Sequence, residues 1–144
     1  MKISNVKDIY RGLDHTIILT YDNQIYGLGS NEYGQLGHNE IRRYKDPFKI
    51  KLSNVREVVC SVHHSFAITY TDELFAWGRN NNIQLGLGKE YTIYAPRKVQ
   101  IENVKQVYCP SNILTVIVTW SGEIYYSGLW RNVRSKVPKK IFPF

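Results

Sequence analysis

A single interval of 49 residues governs the layout of this chain. Asn5, Asn54 and Asn103 each open the same kind of tripeptide, Asn-Val followed by Lys or Arg, and they are 49 residues apart. An equal spacing held twice indicates internal repetition, which has to be recognised before other features are interpreted. The sequence therefore predicts a single repeat domain over residues 1–144, with repeats at about 5–53, 54–102 and 103–144.

Each repeat contains short stretches rich in β-branched and aromatic residues, which favour β-strands. In the first repeat they are Val6–Tyr10, Thr16–Tyr21, Gln24–Leu28 and Phe48–Leu52, the last one following a polar loop and Pro47. We expect four strands per repeat. The equivalent stretches are Val55–Val59, Ser65–Tyr70, Glu73–Trp77 and Arg97–Ile101, then Val104–Tyr108, Thr115–Trp120 and Glu123–Ser127.

Turn residues separate the second strand from the third. The pairs Asp22-Asn23, Thr71-Asp72 and Ser121-Gly122 are of types that tolerate left-handed or Asx-turn geometry. Each third strand should end at a glycine, where the chain can reverse without a Cβ clash. These glycines are Gly29, Gly78 and Gly128.

Four short strands in a repeat of about 50 residues are typical of a β-propeller blade. No stretch has the pattern of a helix of any length. The sequence thus predicts an all-β protein made of four-stranded antiparallel sheets.

Two repeats also carry a longer motif. The first reads GLDHTIILTYDNQIYGLGSNEYGQLG and the second SVHHSFAITYTDELFAWGRNNNIQLG. Both resemble the repeat of the regulator of chromosome condensation family, with Gly-x-x-His before the second strand and aromatic-x-Trp-Gly-x-Asn-x-x-Gly-Gln-Leu-Gly after the third. The resemblance covers about residues 5–130. It implies a seven-bladed ring in full-length members, so about three repeats should form an incomplete ring, an arc with open edges.

Several positions depart from this motif. Ser61 stands where the first repeat has Gly12, Ile83 where it has Gly34, and Leu114 where it has His15. The third repeat has no Gln-Leu-Gly segment. Its tail, RNVRSKVPKKIFPF, resembles a shortened loop and a last strand with Pro138 in place of Pro47. Such erosion is typical of a terminal repeat.

The recurring histidines and glycines are interpreted as structural. His15 and His64 occupy equivalent positions, and the resemblance implies a buried histidine bonded to the backbone. A metal or base role is the weaker alternative, because Leu114 replaces this histidine in the third repeat. The predicted structural residues are Gly12, His15, Gly29, Gly37, His64, Gly78, Gly86 and Gly128.

No motif predicts an enzyme, a cofactor or a metal. Gly27-Leu28-Gly29 lacks the trailing glycine, helix and lysine of a phosphate loop. No pair of carboxylates recurs at a shared spacing. Cys60 and Cys109 are expected to be buried free thiols, since equivalent points on neighbouring blades need not come within disulfide distance.

The expected compartment is intracellular, either cytoplasmic or nuclear. Two cysteines give no disulfide framework, the first residues lack the apolar core of a signal peptide, and no apolar run is long enough to span a membrane.

The net charge of +7 favours an acidic partner. The spread of lysine and arginine along the chain weakens this interpretation for most of the sequence. The candidate surfaces are two loops, 39–46 and 89–95, whose exposed Arg and Tyr are enriched at interfaces, and the basic tail. That tail, with Trp130, Phe142 and Phe144, could contact RNA or an acidic protein, or could be a charged edge strand. The candidate interaction residues are Arg42, Arg43, Tyr44, Lys45, Lys89, Tyr91, Tyr94, Trp130, Arg131, Arg134, Lys136, Lys139 and Lys140.

Three functions remain open. The preferred one is a non-catalytic protein–protein interaction module or complex subunit, whose open edges are covered by another chain or by a second copy. The resemblance also implies guanine-nucleotide exchange on a small GTPase of the Ran type, although the 49-residue repeats leave no room for an inserted hairpin. The third is binding of ribonucleoprotein or chromatin through basic loops and tail.

Overall fold

The computed structural model describes residues 2–141 and builds them from β-strands. Twelve strands form three four-stranded antiparallel sheets. No helix among the described residues is long and apolar enough to cross a membrane. The strands are β1 (Val6–Arg11), β2 (His15–Thr20), β3 (Ile25–Ser30), β4 (Arg43–Lys49), β5 (Val55–Cys60), β6 (His64–Thr69), β7 (Leu74–Arg79), β8 (Thr92–Lys98), β9 (Val104–Ser111), β10 (Leu114–Thr119), β11 (Ile124–Trp130) and β12 (Val133–Lys140).

Each sheet is one propeller blade made of four consecutive strands. The strand orders are β1-β2-β3-β4, β5-β6-β7-β8 and β9-β10-β11-β12, here called blades 1, 2 and 3. Strand β5 contacts both β1 and β9, so the first strands lie closest together and the fourth strands lie outermost. The blades form an open arc and no closed ring, which confirms the predicted fold class.

An apolar core fills the space between the blades. Ile17 of blade 1, Phe66 and Trp77 of blade 2 and Ile117 of blade 3 belong to one cluster and are at most 1% exposed. Burial of a side chain of this size contributes roughly 2 kcal/mol to folding. Since the cluster crosses blade boundaries, each blade depends on its neighbour for most of this stabilisation.

The predicted repeat ranges each contain one sheet. The boundaries at 53/54 and 102/103 and the single-domain assignment stay predictions. Phe142 and Phe144, predicted to extend the tail, lie outside the described residues.

The turns between second and third strands are confirmed. Asn23 and Asp72 adopt positive φ angles of 65° and 63°, and Gly122 adopts 85°. Asparagine, aspartate and glycine are the residues that reach this left-handed region at least cost.

The predicted position of the fourth strand was wrong. Strands β4 and β8 begin at Arg43 and Thr92, before their prolines, and Pro47, Pro96 and Pro138 lie inside β4, β8 and β12. Proline is tolerated there because the outermost strand pairs on one side only, so the missing N–H costs no ladder bond. Parts of both predicted loops, 39–46 and 89–95, are therefore strand.

The role predicted for the third-strand glycines was also wrong. Gly29, Gly78 and Gly128 do not end their strands but lie inside β3, β7 and β11, each at a shift in register with the fourth strand. At Gly78 a Cβ atom would lie 2.7 Å from the His63 carbonyl oxygen, which accepts a bond from Arg79 N at 2.9 Å. These glycines allow the loop between the first and second strands to pack against the third strand.

The substitution Gly78→Ala should destabilise the protein by about 3 kcal/mol or more. It adds a steric clash with His63 to the cost of a left-handed residue. Gly88→Ala is the matched control, because Gly88 has a similar φ of 96° but no atom lies within 4 Å of the position that its Cβ would take. We expect about 1 kcal/mol for the control. Equal losses in urea unfolding would contradict the packing role.

Candidate interaction surface

Two loops, one between β3 and β4 and one between β7 and β8, pack against the next blade, and a buried asparagine organises each of them. In the first loop, Asn31 Oδ1 accepts a bond from Leu36 N at 3.0 Å, and its Nδ2 donates to the carbonyls of His38 and Glu40. In the second loop, Asn80 accepts a bond from Leu85 N and donates to the carbonyls of Gly88 and Glu90. Here they are called the first and second joining loops, residues 31–37 and 80–86.

A glutamine carbonyl from each joining loop binds the next blade. The Gln35 carbonyl accepts bonds from Ser65 Oγ and Trp77 Nε1 of blade 2, both at 2.9 Å. The Gln84 carbonyl accepts bonds from Thr115 Oγ1 at 2.7 Å and Ser127 Oγ at 3.0 Å in blade 3. The donors differ in type, yet they occupy equivalent positions. The same junction is thus built twice with different side chains.

A glycine closes each joining loop against a proline. A Cβ atom on Gly37 would lie 3.2 Å from Pro96 Cδ, and one on Gly86 would lie 3.3 Å from Pro138 Cδ. The Gln-Leu-Gly segment therefore fits between two blades, and the prolines of the outer strands form part of its seat.

The two recurring histidines are buried, as expected, but their predicted backbone bond was wrong for His15. Its Nε2 lies 3.0 Å from Ser65 Oγ of blade 2, and because that hydroxyl donates to Gln35, the histidine donates to it. The Nε2 atom of His64 has no hydrogen-bond partner among the described residues. Gly12 explains the difference, since a Cβ there would lie 2.1 Å from the His15 ring, and blade 2 has Ser61 instead.

Burial keeps both histidines neutral. It lowers the pKa of His15 to about 4 and that of His64 to about 3. Burial is the largest cause, and neighbouring histidines contribute to both shifts in the same direction. Neither ring can serve as a base near neutral pH, which agrees with a structural role.

Blade 1 presents an uncovered face to solvent. Val6 is 40% and Ile9 55% exposed, whereas the equivalent Val55, Val58 and Val107 are at most 3% exposed. In blades 2 and 3 the preceding blade covers this side. We call this surface of blade 1 the leading face; it also includes the half-buried Thr16, Ile18 and Leu28.

Blade 3 exposes its other face, the one that is turned away from blade 2. Along β10, Leu114, Val116 and Val118 are half-buried while the residues between them are buried, and every residue of β6 in the middle blade is buried. Tyr10 is half-buried against the core, but its counterpart Tyr108 is 47% exposed. Leu114, Val116, Val118 and Tyr108 define the trailing face.

The candidates from the first predicted loop are placed on or beside β4. Tyr44 was expected to be exposed but is 6% exposed, with its hydroxyl 2.9 Å from His38 Nδ1. Arg42 stacks over the Tyr44 ring, and Arg43 forms a two-pronged ion pair with Asp14. Lys45 is exposed. Tyr44 is therefore a packing residue, and the remaining three lie at the surface.

The candidates on blade 2 lie partly on β8. Lys89 and Tyr91 precede the strand and are exposed, with Tyr91 at 75%. Tyr94 lies within β8, half-buried beneath Gly34 of the first joining loop. Only the first two are available to a partner.

The tail forms β12, the outermost strand of blade 3, as its sequence predicted. Trp130 packs against Tyr126, with the Arg131 guanidinium over its ring. Lys140 pairs with Glu123. Arg134, Lys136 and Lys139 are exposed, so the strand presents positive charge along its free edge.

The cysteines are free thiols and half-buried. Burial raises the pKa of each to about 12, so both stay protonated. Across residues 2–141, no group of three or more His, Cys, Asp and Glu side chains is arranged to hold a metal.

Sequence reasoning included the joining-loop residues in the repeat motif but assigned no role to the asparagines and glutamines that build the loops. Asn31 and Asn80, like Gln35 and Gln84, recur at the 49-residue interval, and that spacing was the available signal. The prolines recur in the same way, but their contacts with the loop glycines could be seen only in the folded chain.

Two family models match the chain. Both are described as the regulator of chromosome condensation (RCC1) repeat; one matches residues 22–68 and 71–117, the other 6–35 and 55–84. Among curated proteins, the E3 ubiquitin-protein ligase highwire of Drosophila melanogaster is 38% identical over 48 residues. That match covers 33% of this chain and 1% of highwire.

The fold resembles solved propellers of the same kind. Human WBSCR16 matches 97% of this chain with a TM-score of 0.87 and 22% identity. Prp20p from Saccharomyces cerevisiae matches 96% with a TM-score of 0.85 and 23% identity. The chain spans 39% of the length of each, in keeping with an arc of blades.

Acid should destabilise the protein through His64. Its folded-state pKa lies below the ordinary value of 6.5, so the unfolded chain takes up a proton first as pH falls. This costs about 2 kcal/mol between pH 7 and pH 5. His64→Leu, the residue type that blade 3 uses, should remove that loss in unfolding experiments at the two pH values. An unchanged pH dependence would contradict this assignment.

The substitution Thr115→Val should destabilise the protein by about 1 kcal/mol, because it removes the shortest bond to the Gln84 carbonyl while keeping the side-chain shape. Thr92→Val is the control, since the Thr92 hydroxyl bonds to no described residue. It should change the free energy of unfolding by less than about 0.5 kcal/mol. Similar losses for both would argue against the junction bond.

Proposed function

Because the chain belongs to the regulator of chromosome condensation repeat family, we propose that it is a non-catalytic protein-interaction module whose open end faces are held by protein partners. The observation that carries the proposal is the exposure of Ile9, which is 55% against 2% for its counterpart Val58. Blade faces of this kind are buried wherever a neighbour is present. An uncovered apolar face is a typical protein-binding surface.

The trailing face supports the same function. Val116 and Val118 form an apolar stripe along β10, and Tyr108 adds an exposed aromatic ring. Aromatic and aliphatic residues of this kind form the energetic centres of interfaces. Two faces at opposite ends of the arc suit a subunit that is held between partners.

A protein partner also fits the relatives. Prp20p, whose fold this chain shares, is described with its binding properties to Gsp1p and histones. Nucleotide exchange on a Ran-type GTPase is less favoured, because this chain spans 39% of Prp20p. Clear acceleration of exchange on a panel of small GTPases would overturn that preference.

Binding of ribonucleoprotein or chromatin is disfavoured by the ion pairs. Arg42, Arg43, Arg97 and Lys140 pair with Glu40, Asp14, Glu90 and Glu123, which lowers the charge available for phosphates. The exposed basic residues of β12 remain the best site for such a contact. A phosphate-driven contact would weaken steeply with added salt.

Ile9→Glu on the leading face and Tyr108→Glu on the trailing face test the proposal. Both positions are exposed, so the fold should persist, while a charge in a buried interface is costly. The tagged chain is purified from its native cells under mild cross-linking, and partners are quantified by mass spectrometry. We expect at least one partner to be lost about tenfold or more with either variant.

Tyr91→Glu is the matched control, since Tyr91 is 75% exposed but lies on neither end face. This variant should bind the same partners as the unchanged chain. Loss of partners with Tyr91→Glu and their retention with both end-face variants would place the interaction on the loops and sink the proposal. Light scattering of the purified chain identifies the case in which the partner is a second copy.

A further inference from the structure

We propose that the leading face of blade 1 is a socket for a joining loop, of the Gln-Leu-Gly type, that belongs to a repeat of the same family in a different protein. The inference rests on the proposed function, which it makes specific for one face. It starts from the two joining loops that are already seated within this chain.

The seated loops define what such a socket requires. In blade 2, Ser65 and Trp77 donate to the loop carbonyl and Pro96 packs against the loop glycine. In blade 3 the equivalent residues are Thr115, Ser127 and Pro138. The two seated junctions share a hydroxyl donor on the second strand, a second donor on the third and a proline on the fourth.

Blade 1 retains the hydroxyl and the proline without an occupant. Thr16 supplies the hydroxyl and Pro47 stands at the position of Pro96, whereas Leu28, at the position of Trp77, offers apolar contact in place of the second donor. A cleft of about 300 Å³ opens beside Thr16, Leu28 and Gly29, with Arg43, Tyr44 and Lys45 of β4 along its wall. The residues of blade 2 that correspond to this wall are Thr92 to Tyr94. They contact Gly34 of the first joining loop.

Thr16 itself shows the difference between an empty and a filled socket. It is half-buried, whereas Ser65 and Thr115 are fully buried under the loops that they bind. A loop carbonyl placed on Thr16 would complete the hydrogen bond that the two internal junctions make. The unfilled donor gives the socket a directional preference that a plain apolar face would lack.

A second copy of this chain cannot supply the missing loop. Its joining loops, 31–37 and 80–86, are seated in its own blades 2 and 3. Its last blade passes from β11 through Arg131 and Asn132 directly into β12, with no Gln-Leu-Gly segment. Both joining loops of the described residues are thus occupied, and we place the occupant of the socket on another chain that carries this loop.

The probe is a cyclic peptide of residues 30–43 with Ser30→Cys and Arg43→Cys, joined by a disulfide. Ser30 and Arg43 are cross-strand partners, so the closure matches the native ends, and Asn31 braces the loop from within. Binding to the full ¹⁵N-labelled chain is followed by NMR. We expect saturable shifts at Thr16, Leu28 and Gly29, with a dissociation constant below about 1 mM.

Two variants test the geometry. A peptide with Gly37→Val should not bind, because the glycine faces a proline at van der Waals distance in the seated loops. Thr16→Val in the protein should weaken binding about fivefold, the effect of one lost hydrogen bond. Tyr91→Glu, which is exposed and lies on neither end face, should leave it unchanged.

An absence of shifts on blade 1 at millimolar peptide, or equal binding of the Gly37→Val peptide, would overturn the socket. The outcome is independent of the partner experiment. Partners lost with Ile9→Glu without peptide binding would keep the proposed function and reject the socket. Peptide binding at Thr16 with partners unaffected by both end-face variants would keep the socket and reject the proposed function.

Discussion

The hydrogen bonds accepted by the Gln35 and Gln84 carbonyls hold the arc together. Each carbonyl reaches from one blade into the next and meets two buried donors there. A buried carbonyl without partners would be costly, so these bonds fix the register between neighbouring blades. Asn31 and Asn80 shape the loops that deliver these carbonyls, and Pro96 and Pro138 receive the glycines that close them.

This junction has a direction, which makes the two ends of the arc different. Blades 2 and 3 each receive a joining loop, and blades 1 and 2 each give one. Blade 1 is left with a receiving face that nothing fills, and blade 3 with an apolar face and a charged outer strand. The functional proposals follow from this asymmetry, because a partner at the leading face must satisfy a hydrogen-bond donor, whereas one at the trailing face needs only apolar contact.

The 49-residue spacing was enough to predict the blades and their number, because strand composition and turn residues act locally. The open ring followed from the seven blades that the family resemblance implies. The fourth strand was misplaced since Pro47 and Pro96 were interpreted as strand starts, whereas an outermost strand accepts proline in its interior. Tyr44 was predicted at the surface because a polar segment surrounds it, yet its ring fills the space beside His38 and Phe48. The joining loops escaped prediction for a different reason. Their bonds run between blades and use a backbone carbonyl, which has no signature of its own in the sequence.

Native-state hydrogen exchange, followed amide by amide, tests the central claim that each blade is stabilised mainly by its neighbours. Strand β6 is covered on both faces, while β2 and β10 are each covered on one. In a linear array the terminal units open more easily than the middle one. We predict that amides of β6 exchange most slowly and that those of β2 and β10 exchange faster. Equal protection in all three strands would show that the blades do not depend on one another in this way and would contradict the central claim.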